Sequence, residues 1–217
     1  MSVRVLGLDI STCTGYALWD YSRDVSSIEA DVIELPEAGD YDDDWRVAQM
    51  GPKMVNLIKK VRPDLVLVEE RLRFSKAGTH AFAMSNALHG AVYGVCCTMN
   101  VLFGTIGVRS WHAAAYGEGF KQPLVPDCDR TGRQKVDAKT GKPLFKLKDW
   151  KEIAVEKCQE LQIPLPSKKA TAHNAAEAAI VAMMWRCHNR ITIPAARDHE
   201  RYIELLQRPK TPKAVAA

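Results

Sequence analysis

Apolar positions along the 217-residue chain follow two periods, and each change of period marks an element. Val3 to Asp9 (VRVLGLD) is a short apolar run that ends in an acid, and Gly15 to Asp20 (GYALWD) alternates after the turn Ser-Thr-Cys-Thr. With Ser26 to Leu35 as a third, these predict a meander of neighbouring strands. Past a polar, acidic stretch at 36–44, apolar residues at 47, 50, 54, 57, 58 and 61 keep the spacing of one helical face. Arg62-Pro63-Asp64 ends that helix. Leu65 to Val68 is then a continuous apolar run of the kind buried on both faces of a sheet, and it delivers Glu69-Glu70 at its end. His80 to Cys97 predicts a closely packed helix and Val101 to Ile106 a further strand.

From Gly117 to Lys148 periodicity gives way to Gly, Pro, Asp, Lys and Arg, with VDAKTGKPLF predicting a small hairpin around Thr140-Gly141. Asp149 is placed to cap a helix over Trp150 to Leu161, the segment IPLPSKK makes a stiff connector, and Thr171 to Asn189 is the last strong helix. Its alanines at 172, 175, 176, 178, 179 and 182 allow close approach to a sheet. Strands alternating with helices make the class α/β with a mixed central sheet flanked by helices. The expected layout is one domain over 1–190, interrupted by an insert at about 117–148, and a C-terminal tail over 191–217.

Composition narrows the class. At 47% hydrophobic and 26% charged residues the chain is of ordinary globular type, which excludes a disordered, tail-like protein. No run approaches the roughly 18 to 20 apolar residues that cross a bilayer, and the first residues enter a strand pattern without a signal-peptide core. A soluble, cytoplasmic protein with no membrane partner is expected. The six cysteines show no Cys-x-x-Cys pair and no repeated Cys/His spacing, so neither a zinc site nor a disulfide framework is indicated.

The net charge of +4 is unevenly placed: residues 1–70 hold 7 basic and 14 acidic residues, and residues 71–217 hold 23 and 12. Lys121 to Lys151 alone carries nine basic residues against four acidic ones. Such a run is either a solvated loop or a patch that attracts polyanions through counterion release.

Candidate chemistry lies in three acids delivered by three elements. Asp9 ends the first strand, Glu69 the fourth, and Asn174 and Glu177 lie three apart, on one face of the last helix. If the first and fourth strands are neighbours, Asp9 and Glu69 lie side by side, and only one of Glu69 and Glu70 faces that way. A third acid from the helix creates a repulsion that a divalent cation relieves. Hard oxygen ligands suit Mg2+ or Mn2+, which polarise a phosphate and activate water.

The runs LGLDISTCTGYALWD, PDLVLVEERLRF and HNAAEAAIVAMMW resemble, in order and spacing, the opening strand, fourth strand and terminal helix of RuvC-type Holliday junction resolvases. The likeness spans roughly residues 3 to 110 and 148 to 188. It implies an RNase H-like fold, a homodimer, and Mg2+-dependent nicking of symmetric strands in a four-way DNA junction, with Mn2+ substituting. Carried over by position, Asp9, Glu69 and Glu177 are metal ligands. Asn174 stands where the family has Asp or His; His173 or Glu70 as a replacement donor, and the Asn174 amide oxygen itself, are the alternatives. Phe74 is the candidate for the family's junction-stacking aromatic, two positions late, with Arg71, Arg73 and Lys76 beside it; a core or dimer-contact Phe is the competing reading. Lys146 and Lys148 precede the helix starting at Trp150, where the family places basic residues near the scissile phosphate, and Lys148 is the better positional match. Arg130, Arg133 and Lys135 of the insert are candidates to grip a DNA arm, and the helix over 80–97, with Ala83, Ala87, Gly90, Ala91 and Gly94, matches the dimerisation helix.

Two other readings compete. One is a non-catalytic module of the same fold that binds branched DNA, to which Asn174 points. The other is an actin-like or sugar-kinase-like ATP-binding protein, because GLDISTCTG (7–15) also resembles that superfamily's phosphate loop.

Overall fold

The computed structural model describes residues 2–37, 39, 42–71 and 78–208. Its centre is a five-stranded sheet in the order β3-β2-β1-β4-β5, from β1 (Arg4–Asp9), β2 (Cys13–Asp20), β3 (Glu29–Glu34), β4 (Leu65–Glu69) and β5 (Leu102–Ile106). The first three strands form the predicted antiparallel meander, while β4 joins β1 and β5 joins β4 in parallel. The sheet is therefore mixed.

Strand parity decides what each face carries. Val5 on β1 and Leu65 and Leu67 on β4 belong to the core beneath α5 (Lys169–Met183), which also takes in Trp111 and Ala154. Leu6, Leu8, Val66 and Val68 point the other way, against α1 (Asp43–Val61) and α2 (Thr79–Thr98). All seven of these aliphatic strand side chains are fully buried, as expected for central strands covered on both faces. Asp42 caps α1 by accepting from Trp45 N at 2.7 Å, and Arg62 closes it in the left-handed region at φ 46°.

The approach of α5 to the sheet is what places the site. A Cβ at Gly7 would meet Ala178 O at 2.4 Å, and one at Gly15 would meet Asn174 O at 1.9 Å. Glycine on the strands and alanine on the helix thus let two backbones touch where larger side chains would hold them apart.

Several elements differ from the sequence expectation. The last helix ends at Met183 and continues as 3₁₀ turns over Met184–Arg190. A nine-residue helix, α3 (Val108–Tyr116), follows β5 directly; it is too short for periodicity to announce. The insert is anchored by a ribbon of β6 (Leu124–Pro126) and β7 (Phe145–Leu147), with the expected hairpin around Gly141 reduced to a Val136–Pro143 bridge at its tip. After it, α4 (Trp150–Glu160) starts on its Asp149 cap, whose carboxylate accepts from Lys151 N. The described part of the segment expected as a tail packs on the domain instead: Thr192 bridges Thr105, Ile193 and Leu205 are buried, and α6 (His199–Leu206) leads to an Arg208–Asp64 ion pair of 2.7 Å. Apolar residues too sparse to show a period still gain burial where a neighbouring surface awaits them. Among the described residues no helix is long and apolar enough to cross a membrane.

Candidate active site

Asp9 has the parity of Val5 and Gly7, and Glu69 that of Leu65 and Leu67, so both acids end their strands on the α5 side. The register that sets Leu8 beside Val68 brings them to the same end of adjacent parallel strands. Glu177, on the third turn of α5, reaches down to form a side-chain hydrogen bond with Asp9. The three carboxylates named from the sequence are thus gathered at the carboxyl end of the two central parallel strands. Glu70, one residue on, is exposed and turns to the opposite side, in a groove with Arg71, Tyr93 and Thr192.

Electrostatics records the crowding. Burial, and then the charge of Asp9, pushes Glu69 up to about 7. Glu177 is raised by burial first and by Asp9 second, and Asp9 is raised by burial. The contact between them favours the charged form of Asp9 and the neutral form of Glu177, which eases the repulsion of the site without a cation. Among the described residues no group of three or more His, Cys, Asp or Glu side chains stands ready-arranged to hold a metal ion.

A lysine does part of a cation's work. Lys151 Nζ lies 3.0 Å from Asn174 Oδ1 and 3.9 Å from Glu177 Oε2, and its charge favours ionisation of Asp9, Glu69 and Glu177 alike. Sequence reasoning named Lys148 for this place. Lys148 instead pairs with Glu156, and three residues further on, past the Asp149 cap, the first turn of α4 swings Lys151 over the acids. Asn174 is buried with both ends of its amide engaged: Oδ1 accepts from Lys151, and Nδ2 donates to Cys13 O at 2.6 Å. His173, the alternative donor, lines a separate surface pocket with Lys148, Glu152 and Glu156.

Trp111, on α3, was not signalled by any motif. Its indole is 1% exposed, and Nε1 donates to Glu69 Oε2 at 2.8 Å. Beside it His112 stacks on Trp150 with centroids 3.8 Å apart, and Tyr116 leans on both Trp111 and Trp150. The Tyr116 hydroxyl is buried without a hydrogen-bond partner among the described residues. These rings wall off the Glu69 side of the site and deepen its desolvation.

Of the proposed DNA contacts, Arg71 is exposed and donates to Asn86 Oδ1 at 3.4 Å, and Arg130, Arg133, Lys135 and Lys146 lie exposed on the insert. Arg73, Phe74 and Lys76 lie outside the described residues.

The sheet order, the covering helices and the position of the carboxylates define an RNase H-like fold. Solved structures with the same fold include Thermus thermophilus RuvC (15% identity, TM-score 0.56, 88% of this chain and 99% of that one) and T. thermophilus RuvC in complex with Holliday junction substrate (15%, 0.57, with the same coverage). The yeast mitochondrial Holliday junction resolvase Ydc2 also matches, at 16% identity and TM-score 0.51 over 93% of this chain and 83% of that one. No protein-family model matches the sequence, and no curated protein does. At such identities the likeness is one of fold.

Proposed function

We propose that the chain is a metal-dependent endodeoxyribonuclease that resolves four-way DNA junctions by paired symmetric nicks. The observation that carries this reading is the convergence of Asp9, Glu69 and Glu177 beneath α5, in a fold shared with solved Holliday junction resolvases.

The donor set suits a hard divalent ion: three half-buried carboxylates, of which Glu69 and Glu177 are pushed up by burial and by the charge of Asp9 for want of a counter-charge. Asp9, Glu69 and Glu177 would hold Mg2+ or Mn2+, with the Asn174 amide oxygen as a neutral fourth donor. Bound there, such a cation would polarise the scissile phosphate and activate water for attack. The protein's own groups do the rest. Trp111 fixes one oxygen of Glu69 and leaves the other free to coordinate. A bound cation would favour the ionised form of Glu177, and Lys151, beside Asn174 and Glu177, would lie within reach of charge developing on the phosphate. Lys148 and Lys146 flank this position as backbone contacts, and Phe74 keeps its assignment as the stacking aromatic by its place in the chain.

A second copy supplies the second nick. On α2, Ala83, Ala87, Gly90 and Gly94 are all exposed and share one side, and nothing would meet a Cβ at either glycine within 4 Å. This stripe supports a homodimer through close helix packing, with two active sites at a fixed separation that reads junction shape before sequence.

A non-catalytic module that binds branched DNA is the second reading, favoured by Asn174, whose amide is engaged at both ends. Incubation with labelled four-way, Y-shaped and linear DNA, in Mg2+, Mn2+ or chelator, separates the two. Symmetric nicks in the four-way DNA that need the metal support the nuclease. Tight junction binding without nicking supports the module, and equal treatment of all three DNAs overturns both.

A further inference from the structure

Between α3 and α4 the chain leaves the domain as the β6–β7 ribbon. Its feet are joined where Gln122 Nε2 donates to Lys148 O at 2.7 Å and Lys148 N to Pro123 O at 2.9 Å. The helices at its root carry Trp111 and Lys151, so the ribbon springs from the rim of the carboxylate site.

Directly opposed residues of an antiparallel pair share a face, as do residues two apart. The register sets Leu124 opposite Leu147 and Pro126 opposite Phe145. Those four side chains therefore form one apolar face, and Val125 and Lys146 take the other. The apolar face is bare: Leu124 is 67% exposed, Phe145 57% and Leu147 58%. A two-stranded ribbon has no core of its own in which to hide such residues, and contiguous exposed apolar surface marks a binding site.

The charges around it select the partner. Asp129 and Asp137 build their own turns, accepting from Thr131 and Arg133 N and from Lys139 and Thr140 N respectively, while Asp127 pairs with Lys135. Lys121, Arg130, Arg133, Lys142 and Lys146 are left exposed, with no ion pair among the described residues. A polyanion that also offers flat apolar faces fits this combination, and unstacked bases between phosphates are such a partner.

We propose that the apolar face of the β6–β7 ribbon seats unpaired or unstacked bases at the branch point of the DNA, while its basic rim holds the flanking phosphates. This rests on the nuclease reading of the carboxylate site and adds a specific element to it: a second means, apart from dimer geometry, of telling a branch from a continuous duplex.

The test is equilibrium binding of the full chain, in chelator, to a four-way junction carrying 2-aminopurine at the branch point and to a linear duplex of the same length. It compares wild type with the double variant Phe145→Ser, Leu147→Ser and with Arg133→Ala, and circular dichroism melting checks each fold. The double variant is expected to lose about tenfold in junction affinity and the 2-aminopurine signal, while duplex affinity holds. Arg133→Ala is expected to weaken both DNAs together and to lower the salt slope by about one. Equal losses on both DNAs by the double variant, or no loss, overturn the ribbon assignment. So does a double variant that sediments as a smaller species than wild type, because a second copy then covers the face. A wild-type chain that binds neither DNA overturns the nuclease reading along with it, whereas one that binds the junction in chelator and nicks it once Mg2+ is supplied isolates the failure to the ribbon.

Discussion

The indole Nε1 of Trp111 donates a 2.8 Å hydrogen bond to Oε2 of Glu69, linking a fully buried ring on α3 to the carboxylate that ends β4. Among the described residues no other donor reaches that oxygen, so its orientation depends on this bond. Trp111→Phe keeps an aromatic ring in the core and removes the donor. The expected result is a loss of about 1 to 3 kcal/mol in stability and a roughly 10- to 100-fold weaker affinity for Mn2+, read by thermal melting and by calorimetric titration. Unchanged Mn2+ affinity would leave Trp111 with a packing role alone.

Asp9→Asn separates chemistry from folding. Burial makes the Asp9 charge unfavourable in the metal-free site, and that charge in turn raises Glu69 and Glu177, so the amide is expected to melt higher than wild type in chelator. It is also expected to lose the rise in melting temperature that Mg2+ gives wild type, and to cut junctions at least about 100-fold more slowly while binding them normally. Full cleavage by this variant would remove Asp9 from the site.

Lys151 and Lys148 are distinguished by their partners. Lys151→Met takes the counter-charge from three acids and is expected to lower both cleavage and metal-free stability. Lys148→Met breaks an ion pair with the exposed Glu156, worth about 0 to 1 kcal/mol. Its expected signature is a weaker affinity for all DNA and a salt slope reduced by about one. Single-turnover cleavage at saturating DNA separates the two; the reverse ranking would restore Lys148 to the phosphate.

Stability of the metal-free protein should fall as pH rises. Glu69 titrates near 4.5 when unfolded and is pushed up to about 7 in the fold, so below 4.5 both states are protonated and the protein keeps its full margin. Between 4.5 and 7 the unfolded state ionises while the folded state resists, and stability is lost through that window. Mg2+ should therefore raise the melting temperature more at pH 8 than at pH 5.5, measured by calorimetry in the two buffers. A gain that is the same at both pH values would contradict the carboxylate crowding.

Gly15→Ala tests the close approach of α5. A Cβ there meets Asn174 O at 1.9 Å, and backbone on both sides leaves nothing flexible to yield. A destabilisation of roughly 3 kcal/mol, at the upper end for an overpacked core, is expected in urea melts. Ready tolerance of Ala would place the helix further from the sheet.

Much of this protein is written in local pattern. The apolar run Leu65–Val68 and the alternation in β2 specify strands because period and burial agree, and the alanines of α5 imply that it lies on a sheet. Asp9 and Glu69 are legible because each ends a strand whose direction the pattern already gives, and Glu177 because it interrupts the alanines of a helix that must lie on the sheet. Trp111, Lys151 and the apolar face of the ribbon are different. A nine-residue helix shows no reliable period, the choice between two lysines three residues apart depends on where a helix begins, and Phe145 beside Leu147 reads as ordinary strand until its pairing leaves it uncovered. The sequence alone determined which residues are acidic, where strands end and which helix can approach closely, since these follow from side-chain type and spacing. Only the tertiary structure decided which lysine meets the acids and which ring holds Glu69, because those contacts join segments tens of residues apart whose meeting is set by packing rather than by local preference.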